Sequence, residues 1–499
     1  MQAEAPTHRR ALRLAALTSL LCALGAAALV LCSTAPFGAG VDSDSAQYLS
    51  ASESAARAAG WIAIDGTPFT LWPPLFPSLL AALKVLGIAS VDAARWLGAL
   101  SAFAVVFGCA LAARRLTRRV FAPPLCALAL ASSAPLIANC SMVLSEPVFL
   151  ALSVASCLAW LSYTESRSRA RFVTLCALSA AALLQRYLAV TLVASIALAL
   201  WIEPTSESLL RRLRRSASYA ALVAAPLVLW FVRNRWVTGE LDGKRGPAVG
   251  NLASDAHNAW TWATKWFALE LDHPLLAAAL MTIPLALLAS AAWSAFKREP
   301  RSRVFVVFPV VYLVGVIALR QVVEFDELDE RLLAPLVPAT WVALAVGADA
   351  WLAHSRGVAR SVSAIVIGAW FVAHLVFAAG ELRERVATWR SEGIGLYEKP
   401  HWQHSPTVEW LRSQPAEGVW LSNDPFAVFC TTGRRSTALP LRKQGFARLR
   451  DKLAAEPAER RIAWFTLNQR AVFPQDMLVP ALHVERVQQF ADGEIYVVR

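Results

Sequence analysis

The sequence predicts a mainly α-helical protein: a polytopic transmembrane bundle of about 11 spans followed by a small C-terminal α/β domain. Hydrophobic residues make up 57% of the 499 positions and charged residues only 17%, and the mean hydropathy is +0.46. This composition is typical of a membrane protein and excludes an ordinary soluble domain. Beyond residue 380 the polarity becomes that of a globular chain, which predicts a separate domain there.

The number of spans follows from apolar runs of about 20 residues, the length that crosses about 30 Å of hydrocarbon. The runs lie at 11–32, 93–113, 121–138, 143–162, 172–185, 188–202, 217–232, 274–296, 304–319, 334–353 and 362–380. The two runs within 172–202 are short, and Gln185, Arg186 and Tyr187 interrupt them. A cleaved signal peptide is the alternative for the first run, but the run is longer than a usual signal-peptide core, which favours an uncleaved span.

The basic residues predict the orientation in the membrane. Arginine-rich or lysine-rich clusters stand at 8–10, 114–119, 167–171, 211–215, 297–303 and 356–360. With eleven spans they all fall on one side, and the positive-inside rule makes that side cytoplasmic. The N-terminus is therefore predicted in the cytoplasm and the C-terminal domain outside the plasma (inner) membrane. The basic cytoplasmic loops also explain the net charge of +12. Because the sequence contains no zinc-ligand spacing and no aromatic-basic array, no nucleic-acid partner is expected.

Two domains are predicted from this topology. Residues 1–380 form a transmembrane module with a first outer loop at about 33–92, and residues 381–499 form an extracytoplasmic domain. In the second domain β-branched and aromatic residues predict strands at "GVWLSN", "RIAWFTL", "HVERVQQF" and "EIYVVR". "SPTVEWLRS" predicts a helix capped by Ser405. Asn423 and Asp424 begin a further helix, where capping is favoured over anion binding.

The first outer loop carries two closely spaced acids and a proline-rich stretch. Asp42 and Asp44 stand in "VDSDSAQYL" directly after the first apolar run. Pro73 and Pro74 break any helix, and Pro77 suits the start of a new one. The loop is therefore predicted to contain short helices along the membrane surface rather than a flexible tether.

Six segments along the chain carry a resemblance to a known family. They are "DSAQYL" at 44–49 with "DGTPFTLWPPLFPSLLAAL" at 65–83, "SEPVFLAL" at 145–152, "QRYLAV" at 185–190, "WFVRNRWVTGELDGKRGP" at 230–247, "ERLLAPLVP" at 330–338 and "SNDPFAVFCTTGRRSTALP" at 422–440. Their order and topology resemble the GT-C membrane glycosyltransferases, in the bacterial branch related to lipopolysaccharide glycosyltransferases and protein mannosyltransferases. The resemblance implies transfer of a sugar, with inversion, from a polyprenyl-phosphate donor to a lipid, glycan or protein acceptor at the outer face of the membrane.

Such a reaction needs a carboxylate to accept the acceptor's proton, and the first loop offers two. Asp44 is the first candidate because its spacing to Tyr48 matches the family's loop aspartate, and Asp42 is the second. Helix capping is the alternative for this stretch, because aspartate and serine are good N-caps. No cofactor is implied with certainty, but two acids two residues apart, or the acids at 324–330, also suit a divalent cation. A solvated acidic face is the simpler interpretation of 324–330.

Cations are needed to hold the donor phosphate and the charge that develops as it departs. Arg331, Arg186 and Arg233 are the candidates because each lies at the outer end of a span, against the positive-inside trend. For Arg331 a salt bridge to the preceding acids is the alternative. Glu146, at the outer end of the fourth span, is the third catalytic candidate, since a carboxylate at that depth is costly. Tyr48, Tyr187 and Asn234 complete the predicted substrate-binding set, with Lys244 and Arg245 as further loop candidates for the phosphate.

Three function classes remain to be compared. A glycosyltransferase explains the ionisable residues at the outer ends of the spans and the outer domain. A multi-span transporter or flippase of a lipid-linked or small solute is the alternative, but it predicts internal repeats and midplane charges, which the sequence does not show. A scaffolding protein gives no reason for an outer loop rich in Asp, Tyr, Trp and Pro.

Overall fold

The computed structural model describes residues 6–203, 207–243, 246–248, 250–267, 274–415, 419–440, 449, 460–466 and 482–498. Its helices are α1 Pro6–Ser33, α2 Ser43–Ala56, α3 Leu75–Val85, α4 Ser90–Leu116, α5 Ala122–Ala131, α6 Ala134–Cys140, α7 Glu146–Ser166, α8 Arg169–Gln185, α9 Val190–Trp201, α10 Leu209–Thr238, α11 Leu252–Phe267, α12 Pro274–Lys297, α13 Arg303–Arg320, α14 Glu330–Leu333, α15 Leu336–His354, α16 Gly357–Glu392, α17 Pro400–Gln403, α18 Pro406–Ser413 and α19 Pro425–Thr432. The strands are β1 Val419–Ser422, β2 Thr437–Ala438, β3 Arg460–Phe465, β4 Val484–Phe490 and β5 Gly493–Val498.

Helices long and apolar enough to cross a membrane dominate the described part of the chain. Eight pass this test: α1, α4, α7, α10, α12, α13, α15 and α16, and the bent pair α5–α6 makes up to nine. The predicted class of a transmembrane helical bundle is therefore confirmed, and the chain is an integral membrane protein. The remaining two predicted spans form α8, of 17 residues, and α9, of 12 residues, so the count of eleven stays a prediction, as does the orientation.

One predicted span is not a straight helix. The segment 121–138 folds as α5 and α6, which meet at an angle of 60°. The hydroxyl of Ser133 accepts a hydrogen bond from the Leu136 amide and starts the new helix, with Pro135 in its first turn. Asn139 and Cys140 are the last two residues of this second helix. The local sequence therefore breaks the span because it supplies an N-cap and a proline together.

Close helix packing in the membrane module requires glycine at two positions. A Cβ atom on Gly98 of α4 would stand 1.9 Å from the carbonyl oxygen of Cys140, and one on Gly347 of α15 would stand 1.9 Å from that of Leu287. Small residues let helix backbones approach closely where no hydrophobic effect drives association. Gly98 thus allows α4 to pack against the end of the broken span.

The chain divides into two compact units. The first contains Met1–Ser33, Thr70–Phe76 and Arg95–Ala387, and the second contains Thr34–Phe69, Pro77–Ala94 and Thr388–Arg499. Most of the first outer loop therefore packs with the C-terminal segment, whereas its "TLWPPLF" stretch packs with the membrane helices. The predicted domain limits of 1–380 and 381–499, drawn along the sequence, stay a prediction.

The second unit contains a five-stranded mixed sheet of order β2-β1-β3-β5-β4. β1 pairs in parallel with β2 and β3, and β5 pairs antiparallel with β3 and β4. All four predicted strands and the helix capped by Ser405 are confirmed, while the two-residue strand β2 was not predicted. Asp424 caps α19 by accepting a hydrogen bond of 2.9 Å from the Ala427 amide, as the capping interpretation expects.

Hydrogen bonds within the second unit explain why the first loop belongs to it. The Val41 amide donates to a carboxylate oxygen of Glu398 at 2.9 Å, and the Val41 carbonyl accepts from the Leu396 amide at 2.8 Å. The Ser436 amide donates to the Ile64 carbonyl at 3.1 Å. Gly395 is needed here because a Cβ atom would lie 2.4 Å from the Val41 nitrogen.

Candidate functional site

The site begins at the break between the two short helices α8 and α9. Arg186 has an extended backbone (φ −150°, ψ 136°) and is followed by a single 3-10 turn at Tyr187–Ala189. The side chain of Gln185, which is buried, donates a hydrogen bond of 2.9 Å to the carbonyl of Ser145. The break is therefore fixed against the residue that precedes α7, and this contact directs the Arg186 side chain to the start of α7.

Glu146 is the first residue of α7 and is 1% exposed. Its carboxylate forms an ion pair with the guanidinium of Arg186. The Ser145 hydroxyl donates to the other carboxylate oxygen at 3.2 Å. The Nε atom of Arg331 lies 3.7 Å from the first oxygen. A single buried carboxylate thus holds two guanidinium groups, and burial of the charge is tolerated because both cations compensate it.

Arg331 lies on the short helix α14, whose N-cap is Asp329. The Asp329 carboxylate accepts a hydrogen bond of 2.7 Å from the Leu332 amide, and the buried Tyr312 hydroxyl donates to the Leu332 carbonyl at 2.8 Å. Arg331 also donates to Asp326 at 2.6 Å, so the predicted salt-bridge alternative is present beside the contact with Glu146. The Asp326 carboxyl group is 68% exposed, and solvent therefore screens this second pair.

Two neighbouring acids of this segment have pKa values above their usual range. Burial raises the pKa of Asp329, although its hydrogen bond from the Leu332 amide opposes the shift. Burial also raises the pKa of Glu330, against the attraction of Arg385, whose guanidinium donates to both carboxylate oxygens at 2.8 Å. The Glu330 side chain is only 15% exposed, and limited access of water strengthens electrostatic contacts beside it.

A second polar cluster lies on α10 and the 3-10 turn. The Trp230 indole donates to the Tyr187 hydroxyl at 3.1 Å, and that hydroxyl donates to the Thr70 carbonyl at 3.3 Å. The side-chain nitrogen of Asn234 also donates to the Thr70 carbonyl at 3.4 Å, and its side-chain oxygen accepts a hydrogen bond of 3.0 Å from Arg233. The guanidinium of Arg233 stands 4.7 Å from the centroid of the Trp230 ring, a cation–π arrangement. This cluster explains why the "TLWPPLF" stretch packs with the membrane helices.

The first-loop candidates all lie on α2 of the second unit. Asp42 is its N-cap: the carboxylate accepts from the Ser45 amide at 2.9 Å, and the Ser45 hydroxyl accepts from the Asp42 amide at 3.0 Å. Asp44 occupies the first turn, is half-buried, and does not serve as the cap. Tyr48 is buried, with its ring 6.2 Å from that of Phe69. The capping role that the sequence offered for this stretch thus falls to Asp42.

The structure brings together predicted residues that are far apart in the sequence. Glu146, Arg186 and Arg331 form one cluster, and Tyr187, Arg233 and Asn234 belong to another. Lys244 and Arg245 lie outside the described residues. Within the described ranges no group of three His, Cys, Asp or Glu side chains is arranged to hold a metal ion. Sequence reasoning missed Gln185 and Trp230, although both lie inside the segments quoted for the resemblance.

Long apolar helices, arginines paired at helix ends and an α/β unit at the C-terminus together form a fold that solved membrane proteins share. ArnT from Cupriavidus metallidurans, solved bound to undecaprenyl phosphate, has a TM-score of 0.64 and 13% identity, over 96% of this chain and 97% of that one. The structure of ArnT in the apo state has a TM-score of 0.62 and 12% sequence identity. The arabinofuranosyltransferase AftD from Mycobacteria has a TM-score of 0.55 and 16% sequence identity. The match covers 98% of this chain but only 40% of the AftD chain.

These comparisons establish the fold. The chain has the fold of the ArnT and AftD structures, and the resemblance inferred from the sequence is confirmed at the level of the fold. No family model and no curated protein matches the chain. Because the identities are below 20%, the activity and the site residues must be argued from the chemistry of this chain.

Proposed function

We propose that the protein is an inverting glycosyltransferase that moves a hexosyl or pentosyl group from a polyprenyl-phosphate donor to a lipid, glycan or protein acceptor at the outer face of the membrane. The observation that carries the proposal is the buried carboxylate of Glu146 with Arg186 and Arg331 beside it. It occurs in a chain whose fold is that of ArnT, a protein solved with undecaprenyl phosphate bound.

Arg186 and Arg331 hold the donor phosphate in this proposal. Guanidinium groups bind phosphate oxygens through two parallel charge-assisted hydrogen bonds, and they remain charged at any working pH. Their side chains are 15% and 23% exposed, so they are largely fixed but still reachable. Glu146 orients both groups and does not itself touch the donor, since its carboxylate is already engaged. Arg233, Asn234, Tyr48 and Tyr187 stay candidates for contacts with the rest of the donor.

The chemical step needs only one further group. The acceptor's oxygen or nitrogen forms a bond to the anomeric carbon as the bond from that carbon to the phosphate oxygen breaks. The electron pair leaves with the polyprenyl phosphate, whose added charge the two arginines stabilise. A carboxylate must accept the acceptor's proton, and Asp44 stays the candidate for this role because Asp42 serves as the N-cap of α2. This in-line displacement inverts the anomeric centre and uses no covalent intermediate.

Transfer from a panel of radiolabelled polyprenyl-phosphate hexoses and pentoses tests the proposal. The detergent-purified protein is supplied with each donor and with membrane extract as acceptor. Asp44→Asn should abolish transfer at unchanged donor affinity, because it removes the base and not the phosphate site. Arg331→Gln should mainly weaken binding of polyprenyl phosphate itself, measured directly with the labelled lipid.

Two control variants match these changes. Asp65→Asn alters an exposed acid in the same loop, and Arg383→Gln removes an exposed arginine near the end of α16; both should behave as wild type. Transfer that survives Asp44→Asn would remove Asp44 from the reaction. Absence of transfer from every donor, with polyprenyl phosphate binding equal in wild type and Arg331→Gln, would overturn the proposed function.

A further inference from the structure

A groove on the membrane module lies far from the residues proposed to bind the donor. It has a volume of about 300 Å³ and runs between α1, α4 and the start of α5. Leu12, Ala16 and Leu20 of α1 face Phe107 and Leu111 of α4 across it. The groove is therefore apolar along most of its length and is built between membrane-spanning helices.

One end of the groove is strongly basic. His8, Arg114 and Arg118 line it there, and no Asp or Glu belongs to the lining. Arg114 and Arg118 are exposed, and among the described residues neither guanidinium forms an ion pair. Arg119, which also lines the groove, forms an ion pair of 3.3 Å with Asp349, and the backbone amide of Arg118 donates to the same carboxylate at 3.3 Å. The end of the groove thus carries an excess of positive charge, because the one carboxylate of Asp349 stands against three lining arginines.

The basic end is at the opposite end of α7 from Glu146. Arg115, next to Arg114, donates to the Ser162 hydroxyl at 2.9 Å. Ser162 stands sixteen residues after Glu146 on one helix, which is about 24 Å at 1.5 Å per residue. The groove is therefore separate from the cluster of Arg186 and Arg331, and its basic end is on the side that the positive-inside rule assigns to the cytoplasm.

The length of the groove indicates which kind of lipid chain fits it. From His8 to Leu20 the helix α1 rises about 18 Å, close to the thickness of one leaflet of about 15 Å. One acyl chain fits this length with its head at the basic end, whereas a polyprenyl chain would extend well beyond it. Basic pockets between helices on the cytoplasmic side bind anionic lipid head groups.

We propose that this groove binds one anionic diacyl phospholipid of the cytoplasmic leaflet, with the phosphate at Arg114 and Arg118 and an acyl chain along α1 and α4. The lipid fills the space between these helices and neutralises their basic ends. It is neither donor nor acceptor in the transfer reaction, so the site does not depend on the proposed function.

Native mass spectrometry of the purified full-length protein tests this site. The protein is exchanged into mild detergent, and phosphatidylglycerol, phosphatidylcholine or undecaprenyl phosphate is titrated separately. We expect one tightly bound phosphatidylglycerol and much weaker phosphatidylcholine. The double variant Arg114→Gln/Arg118→Gln should weaken phosphatidylglycerol binding roughly 30-fold, the loss expected for two arginines at a membrane surface.

The matched control removes two exposed arginines of α10, Arg211→Gln/Arg214→Gln, which lie on the same predicted side but outside the groove. Ala16→Trp fills the apolar part of the groove without changing charge, and it should also release the lipid. Equal binding by both arginine double variants, or undiminished binding by Ala16→Trp, would overturn the proposal. Undecaprenyl phosphate binding that Arg114→Gln/Arg118→Gln weakens more than it weakens phosphatidylglycerol binding would equally reject the diacyl lipid as occupant.

Discussion

Replacing Arg186 by glutamine removes the closer of the two cations that compensate the buried carboxylate of Glu146. Glu146 is 1% exposed, and the remaining guanidinium, that of Arg331, lies 3.7 Å away. Removing one partner of a buried ion pair costs about 3–5 kcal/mol of unfolding free energy. Arg331→Gln leaves the closer contact, between Arg186 and Glu146, in place; it removes the longer 3.7 Å contact with Glu146 and the pair with the exposed Asp326, so we expect a smaller loss than for Arg186→Gln.

The double variant Arg186→Gln/Glu146→Gln separates this explanation from a loss of packing. Both buried charges are then absent, and neutral replacement of a buried pair is often close to neutral in stability. The double variant should therefore recover most of the loss caused by Arg186→Gln alone. Denaturant unfolding of the detergent-purified protein, followed by tryptophan fluorescence, compares wild type with Arg186→Gln, Arg331→Gln, Glu146→Gln and the double variant.

The reasoning is refuted by either of two results. One is that Arg186→Gln and Arg331→Gln unfold at the same denaturant concentration, which would mean that the burial of Glu146 does not distinguish its two partners. Alternatively, the losses of Arg186→Gln and Glu146→Gln would simply add, as expected for residues that do not interact.

Three further predictions follow from other contacts. Asp42→Ala should lower the unfolding free energy by about 1 kcal/mol through loss of the α2 cap, whereas Asp42→Ser should keep both stability and transfer; loss of transfer in a stable Asp42→Ser would make Asp42 the base. Because the folded-state pKa of Asp329 is raised, its contribution favours folding at low pH and is lost as the pH rises from the unfolded toward the folded pKa. Asp329→Asn keeps an N-cap and should reduce the loss of stability with rising pH, measured as melting temperatures over a pH series. An unchanged dependence of melting temperature on pH would assign the loss to other groups. Gly98→Ala should cost about 1–3 kcal/mol by overpacking α4 against Cys140, compared with Gly25→Ala, which meets no atom within 4 Å and should unfold like wild type.

Much of the architecture could be predicted because local patterns determine it. Apolar length gives the helices, and alternating β-branched and aromatic residues give the strands of the C-terminal sheet. The arginines at 186 and 331 stood out because they oppose the charge bias of the other loops. Even the break in the span at 121–138 has a local signal, the Ser133 cap with Pro135, which hydropathy alone conceals.

What could not be predicted depends on packing between distant segments. Glu146 and Arg186 are forty residues apart, and their contact exists because α7 and α8 pack together and Gln185 bonds to Ser145. The choice of Asp42 over Asp44 as N-cap depends on where α2 begins, and helix boundaries are the least certain feature of any sequence pattern. The separation of "TLWPPLF" from the rest of its loop depends on hydrogen bonds from Tyr187 and Asn234 to Thr70.

A comparison inside the chain separates a structural ion pair from a site that can accept a ligand. Asp255 and Arg320 are also buried, and their atoms lie 2.8 Å apart. Gln321 donates to the second oxygen of Asp255 at 2.9 Å, and Arg320 donates to the Phe325 carbonyl at 3.1 Å. That pair is matched one to one, and hydrogen bonds within the protein satisfy the remaining atoms, so a ligand has nothing to neutralise.

The cluster at Glu146 has a different charge balance. Two guanidinium groups face one buried carboxylate, and Arg331 also pairs with Asp326, which is open to solvent. Screening makes the Asp326 pair easy to exchange for another anion, whereas Glu146 keeps both arginines in place during that exchange. A phosphate monoanion or dianion can therefore replace Asp326 without uncovering a buried charge, which a pair such as Asp255 and Arg320 could not permit.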